Sequence, residues 1–248
     1  VIHIYQLLLN LSTLEQSMMG FAAGLAKNNH NVFVHSISPF LLLRALEQIK
    51  IDFCYNKLPI NLISVGGSFE YSKLGTTHHC SEDVMILSKY GFNIFIPKND
   101  YVLKQQILKN YNNKKLNYFR ISSLEQFNDL NFLINRKHDP KKNNLIIVGP
   151  VKKFISENKN NLINFNIINI SSTNINELKG VNFKNNITYI YEDYIGCVLE
   201  MKIRKKYKNA NIKTLPFDTV FYRKYGSAYD VYDAIGFSKK KFMTYLND

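Results

Sequence analysis

Eight short apolar runs, each separated from the next by a stretch of roughly helical length, constrain this chain more than any other feature. Val32-Phe33-Val34-His35, Ile60-Asn61-Leu62-Ile63-Ser64-Val65, Phe92-Asn93-Ile94-Phe95-Ile96 and Leu116-Asn117-Tyr118-Phe119-Arg120-Ile121 form a first series. Leu145-Ile146-Ile147-Val148, Phe165-Asn166-Ile167-Ile168-Asn169-Ile170, Ile187-Thr188-Tyr189-Ile190-Tyr191 and Ile212-Lys213-Thr214-Leu215 form a second. Runs this short and this rich in isoleucine and valine read as buried strands. Strands alternating with helices build parallel sheets with helices on both faces. The expected fold is α/β, two doubly wound domains with mainly parallel sheets flanked by helices. The expected boundaries are 1–124, a linker over 125–144, where His138-Asp139-Pro140-Lys141-Lys142 shows little periodicity, and 145–248.

Helix starts are legible between the runs. Ser12 and Thr13 can each cap a helix, with Glu15 and Gln16 three residues on as capping-box partners. Pro39 suits the first position of a helix running to about Lys50. Ser81, with Glu82 and Asp83 in the first turn, opens another to about Tyr90, and Asp100 begins one to Asn110. Further helices are expected from Lys152, Asn174, Gly196 and Tyr229. Gly20, Ala23 and Gly24 recur at i, i+3 and i+4, a stripe without bulk on which another helix can lie closely. Each glycine in a helix costs about 1 kcal/mol against alanine, so the stripe implies a close contact that offsets the penalty.

The 46% hydrophobic and 21% charged fractions of the 248 residues are those of a globular protein and exclude a disordered chain. The net charge of +13 would suit a polyanion. The lysines, however, are interleaved with asparagines, as in Asn110-Tyr111-Asn112-Asn113-Lys114-Lys115, and no nucleic-acid motif accompanies them. The bias reads as base composition, and no nucleic-acid partner is expected. Cys54, Cys80 and Cys197 form no C-x-x-C pair, which points to a reducing compartment without structural zinc. The apolar start, Val1 to Leu11, is too short to span a bilayer and lacks the features of a signal peptide. A cytoplasmic protein without a membrane association follows, and the missing initiator Met suggests that residue 1 is not the original start.

Taken alone, Glu15 reads as a first-turn carboxylate facing the helix dipole. Arg44 and Glu47, at i and i+3, read as a solvated ion pair. Phe40, just inside a helix, reads as core. His78 and His79 have no third ligand spaced to join them, so no metal site is expected there.

Three runs change those readings. Glu15-Gln16-Ser17-Met18-Met19-Gly20-Phe21-Ala22-Ala23-Gly24-Leu25-Ala26 resembles the E-Q-N-M-x-G-x-A-A-G-L-A run of the transketolase-like pyrimidine domain. Gly75-Thr76-Thr77-His78-His79-Cys80-Ser81-Glu82-Asp83 is similar to the G-x-T-H-H-x-x-E-D run of transketolases split into two polypeptides. Between them, Pro39 to Ile49 resembles the split enzymes' P-F-x-x-x-R-x-x-E-Q-I run. The segment Tyr191 to Cys197 and the tail from Phe217 to Phe242 look like degraded versions of runs in the family's C-terminal domain.

The resemblance implies thiamine diphosphate as cofactor, with Glu15 facing its aminopyrimidine ring and Phe40 packed against that ring. It implies that His78 bonds sugar hydroxyls or assists proton transfer, and His79, turned the other way, is structural. The implied reaction is transfer of a two-carbon ketol unit between sugars or sugar phosphates, in carbohydrate metabolism. The chain lacks G-D-G followed by an Asn. The Mg2+ and diphosphate would therefore be held mainly by a partner, the N-terminal transketolase subunit, and activity would require it. A homodimer contact through the helix after Glu15 is also implied. The chain departs from full-length transketolases at Gly66, Leu74 and Ser123, where the family has a His, an acidic residue and a phosphate-binding Arg. The family also has a helix and an edge strand ahead of the E-Q pair, which the first domain would lack. The alternatives are an inactive, truncated pairing scaffold and the beta subunit of a 2-oxoacid dehydrogenase; Thr77-His78-His79 argues against the second.

Overall fold

Every strand pair in the two sheets is parallel. The computed structural model describes residues 8–124, 127, 130–134, 137–215, 217 and 221–247. Residues 1–7, six positions of the expected linker and 218–220 of the tail thus lie outside the described residues. The first sheet, in the order β1-β2-β4-β3, holds β1 (Phe33–Ile37), β2 (Ile60–Val65), β3 (Asn93–Phe95) and β4 (Leu116–Ile121). The second, in the order β6-β5-β7-β8, holds β5 (Asn143–Val148), β6 (Phe165–Ile170), β7 (Thr188–Tyr191) and β8 (Ile212–Thr214). All eight apolar runs are strands. The helices of the first sheet are α1 (Glu15–Lys27), α2 (Ser38–Leu42), α3 (Leu46–Gln48), α4 (Asp83–Lys89) and α5 (Asp100–Asn110). Then come α6 (Asn131–Ile134), α7 (Lys153–Ser156), α8 (Val198–Lys206), α9 (Ala228–Ala234) and α10 (Lys239–Asn247).

Two helix expectations are corrected. The helix from Pro39 to Lys50 is broken: α2 ends at Leu42, Ala45 leaves helical geometry at φ −109°, and the chain continues past α3 as a π-helix from Ile49 to Tyr55. Ala45, Ile49 and Phe53, four apart, are all fully buried and share one face of this segment. At α1 no capping box forms. Leu14 is the N-cap, and Ser12 sits in a left-handed turn with its N–H on the Asn10 side-chain oxygen at 2.8 Å.

Alternate residues of β5 enter different cores. Ile146 and Val148 join a cluster that runs back through Leu62 and Tyr118 to Met19, whereas Leu145 and Ile147 join one built on Phe154, Tyr191 and Phe242. The first cluster makes apolar packing continuous from one sheet to the other. Beyond the edge of β3, the Ile96 N–H donates to the Ser171 carbonyl at 2.7 Å, a backbone tie across the same junction.

Charges are also buried there. Arg120, on β4, donates from Nε to Asp83 Oδ2 at 2.7 Å and from Nη2 to the Ser68 hydroxyl at 2.6 Å and the Asp193 carbonyl at 3.1 Å. Lys152, just after β5, lies 2.8 Å from Asp193 and 3.7 Å from Glu70. Tyr118 donates to Asp83 and Tyr232 to Asp193, and Glu70 accepts from the Ser122 and Ser123 hydroxyls. Burial opposes the charge on Lys152, but Asp193 and then Glu70 outweigh it and raise its pKa above the usual value. Gly67 makes room for this cluster, since a Cβ there would lie 2.5 Å from the Arg120 guanidinium.

At the opposite, amino-terminal end of each sheet, side-chain amides join neighbouring strands. Asn93, Asn117 and Asn61 are in register on β3, β4 and β2, with Asn93 donating to Asn117 and Asn117 to Asn61, each at 3.0 Å. In the second sheet Asn166 donates to Asn144, and Asn144 to the Thr188 hydroxyl, both at 3.1 Å.

Removing the cation at the centre of the junction leaves Asp83 without its buried charge partner. Arg120→Met is expected to lower stability by about 3–5 kcal/mol in urea unfolding. A loss below about 1 kcal/mol would show that apolar packing alone holds the two sheets together.

Candidate functional site

Parallel sheets present their ligand-binding loops at the carboxyl ends of the strands. Three segments meet there on the first sheet: the start of α1, which runs back toward the beginning of β1, the α2 segment that leaves β1, and the long loop that leaves β2. They bring Glu15, Phe40, Arg44 and His78 together.

Glu15 is the first residue of α1 and is 4% exposed. Its Oε2 accepts a hydrogen bond from Arg44 Nη1 at 2.7 Å. The guanidinium carbon of Arg44 stands 4.2 Å from the centre of the Phe40 ring. That ring meets His78 edge to face, with centroids 5.1 Å apart at 68°. His78 Nδ1 is 3.0 Å from the Thr77 hydroxyl. The ion pair expected between Arg44 and Glu47 is replaced by the longer-range one to Glu15, because the break after α2 frees Arg44 from helical register with Glu47.

The His78 loop is built from two 3-10 turns, Ser72–Leu74 and Thr76–His78, and is fastened from the second half of the chain. The Ser72 hydroxyl donates to the Gly226 carbonyl and the Thr76 hydroxyl to the Tyr222 carbonyl, both at 2.9 Å. Gly75 has φ +83°, and a Cβ there would lie 2.8 Å from the Tyr225 ring. Tyr222 and Tyr225 lie in the tail run that resembles the family's C-terminal domain, but nothing in that run pointed to a contact with the His78 loop. At Gly66, φ is +77° and the Tyr71 ring fills the space a side chain would take, which explains why this position holds no histidine. Ser123, in place of an arginine, binds Glu70 through its N–H at 2.7 Å. Leu74, in place of an acid, is exposed.

His79 points inward. It is buried at 5% exposure with its ring 5.0 Å from Phe69, edge to face, and neither ring nitrogen has a hydrogen-bond partner among the described residues. Asp83, of the same sequence run, belongs to the junction cluster rather than to the loop. Among the described residues no three His, Cys, Asp or Glu side chains gather as a metal set, and no helix is long and apolar enough to cross a membrane.

A family model described as the pyrimidine-binding domain of transketolase matches residues 7–125, the stretch that carries Glu15, Phe40, Arg44 and His78. Over residues 7–125 the chain is thus similar to that family. Relatives of the transketolase kind include an apulose-4-phosphate transketolase subunit from Actinobacillus succinogenes, 36% identical over 101 residues. That match covers 40% of this chain and 32% of the relative. The protein of the same description from Phocaeicola vulgatus is 38% identical over 84 residues, 34% of this chain and 27% of its own. The chain thus spans about a third of the length of the curated relatives it matches. The fold is shared further. A split-gene transketolase described as an inactive beta4 tetramer superposes with a TM-score of 0.69 at 16% identity, covering 94% of this chain and 80% of that one. Transketolase from Campylobacter jejuni gives 0.67 at 16% identity, over 94% of this chain and 38% of its own. In sequence over the first sheet and in fold over both, the chain is similar to the C-terminal subunit of a split transketolase.

Burial, and then the neighbouring His78, lower the pKa of His79 below its ordinary value near 6.5. The unfolded chain then binds more protons than the folded one, so stability is full above pH 6.5 and falls as pH drops through and below that value. The expected slope is at most about 1.4 kcal/mol per pH unit. Denaturant melts of His79→Phe between pH 7 and pH 5 should lack that component; an unchanged slope would assign the acid sensitivity to other groups.

Proposed function

We propose that this chain is half of a split transketolase-like enzyme that moves a two-carbon ketol unit between sugars or sugar phosphates. The observation that carries the reading is the convergence of Glu15, Phe40 and His78, with a flat nitrogen-bearing group, the Arg44 guanidinium, already seated against both the carboxylate and the ring. A space that takes a guanidinium has the shape to take an aminopyrimidine, and the donor–acceptor chemistry to take one that carries N–H at its ring nitrogen. Thiamine diphosphate, when bound, supplies the carbanion chemistry.

In this reading the Glu15 carboxylate would accept a hydrogen bond from the protonated ring nitrogen and so favour the tautomer whose exocyclic imino nitrogen can take a proton. Phe40 carries the ring face. His78, with Nδ1 held by Thr77, keeps Nε2 for the hydroxyls of the sugar near the bond that breaks. The diphosphate and Mg2+ fall to an N-terminal partner, in keeping with the relatives' being single subunits of a transketolase and with the inactive state ascribed to the split-gene neighbour. Gly20, Phe21 and Gly24 lie on the exposed face of α1, where a second copy would pack. A cytoplasmic location fits such substrates and the three free cysteines.

Reconstitution with an N-terminal subunit tests the proposal. Ketol transfer should appear only in the mixture, and Glu15→Gln should lower kcat by about 10²–10⁴-fold. Calorimetric binding of thiamine diphosphate and Mg2+ by the mixture with no turnover would favour the inactive pairing scaffold, and no binding at all would remove the cofactor reading.

A further inference from the structure

The side chain that marks the site also fills it. Arg44 touches both groups assigned to the aminopyrimidine: its Nη1 donates to Glu15 Oε2 at 2.7 Å, and its guanidinium lies 4.2 Å from the centre of the Phe40 ring. A guanidinium is planar, presents N–H donors in its plane and stacks on aromatic faces, which are the properties that an aminopyrimidine protonated at its ring nitrogen, or its imino tautomer, would use at the same two contacts.

We propose that Arg44 is an internal stand-in for the cofactor's ring, a gate that must swing out before the aminopyrimidine can bind. This rests on the reading of Glu15 and Phe40 as the seat of that ring.

The two partners differ in freedom. The Arg44 side chain is 44% exposed, whereas that of Glu15 is 4% exposed. Arg44 can leave into water at little cost, but its departure strands a buried carboxylate unless another donor arrives. The gate therefore opens in exchange for a ligand that offers a hydrogen-bond donor to Glu15 and a flat face to Phe40. Sugars, which have no flat face, cannot displace it. The break after α2 is the device that permits this, since it releases Arg44 from register with Glu47 and lets it cross to α1. The apparent affinity for the ring is lowered by the fraction of molecules in which the gate is closed.

The test is calorimetric titration of the full chain with the cofactor's pyrimidine fragment, 4-amino-5-hydroxymethyl-2-methylpyrimidine. Arg44→Gln, which removes the cation and its flat stack, should bind the fragment about 10-fold more tightly than the natural chain if the gate is closed in about nine molecules of ten. Arg44→Lys, which keeps charge without the planar stack, should fall between them. Weaker or unchanged binding by Arg44→Gln, with binding still lost in Glu15→Ala, would overturn the gate while leaving the site in place. Fragment binding that ignores Glu15→Ala would sink the site reading itself. No binding by Arg44→Gln up to about 10 mM, an affinity too weak for any built site, would remove both.

Discussion

Two buried cations, Arg120 and Lys152, and the carboxylates of Asp83, Glu70 and Asp193 are what the arrangement of the two sheets depends on. Asp83, Arg120 and Glu70 come from the first half of the chain, Lys152 and Asp193 from the second. Removing any one half of such a cluster strands charge in a low-dielectric interior, so the halves specify each other more sharply than apolar packing could. The position of the cluster matters too. In the order β6-β5-β7-β8 the chain changes direction between β5 and β7, the crevice in which open parallel sheets usually bind ligands. Lys152 follows β5 and Asp193 follows β7, and the first sheet's Arg120 and Glu70 are the groups that fill this crevice. The crevice of the second sheet is thus taken up by its junction with the first, which leaves the carboxyl ends of β1 and β2 as the candidate site.

The second half also reaches that candidate site. Carbonyls of Tyr222 and Gly226 accept from the hydroxyls of Thr76 and Ser72, and the Tyr225 ring lies over Gly75. The loop that carries His78 is thereby pinned at three points without any atom of the imidazole being used. This separates two tasks within one short run: Ser72, Gly75 and Thr76 fix the backbone, and Thr77 and His78 remain free to orient toward the Phe40 ring.

Much of this was legible in the sequence, and the failures have physical causes. The apolar runs gave all eight strands because strands buried on both faces carry no competing signal. Asp100–Asn110 was legible for a similar reason, with Asn99 capping it through Val102 at 2.9 Å. The lapses concern polar residues whose partners are distant. Asp83 reads as a first-turn carboxylate, yet its partner Arg120 is 37 positions away. Arg44 reads as the neighbour of Glu47, yet it bonds Glu15, 29 positions back. Local spacing favours the near partner, and only tertiary packing supplies the far one. A signal was present for Arg120, since an arginine inside an apolar parallel strand has to find a buried counter-charge. The three sequence runs placed Glu15, Phe40 and His78, and the structure brings all three together. Arg44 stood in one of those runs, but nothing local said that it would sit between them.

The asparagines, which look like base composition in the sequence, have a second meaning at the amino-terminal ends of the sheets. Sliding β4 by one residue against β2 would turn its side chains to the opposite faces and carry Tyr118 and Arg120 away from Asp83. It would also set the amide of Asn117 opposite Ile60 or Leu62 and part it from the Asn61 amide. The paired amides thus act as a vernier on the strand alignment, and because they carry no charge their own pairing neither titrates nor is screened by salt.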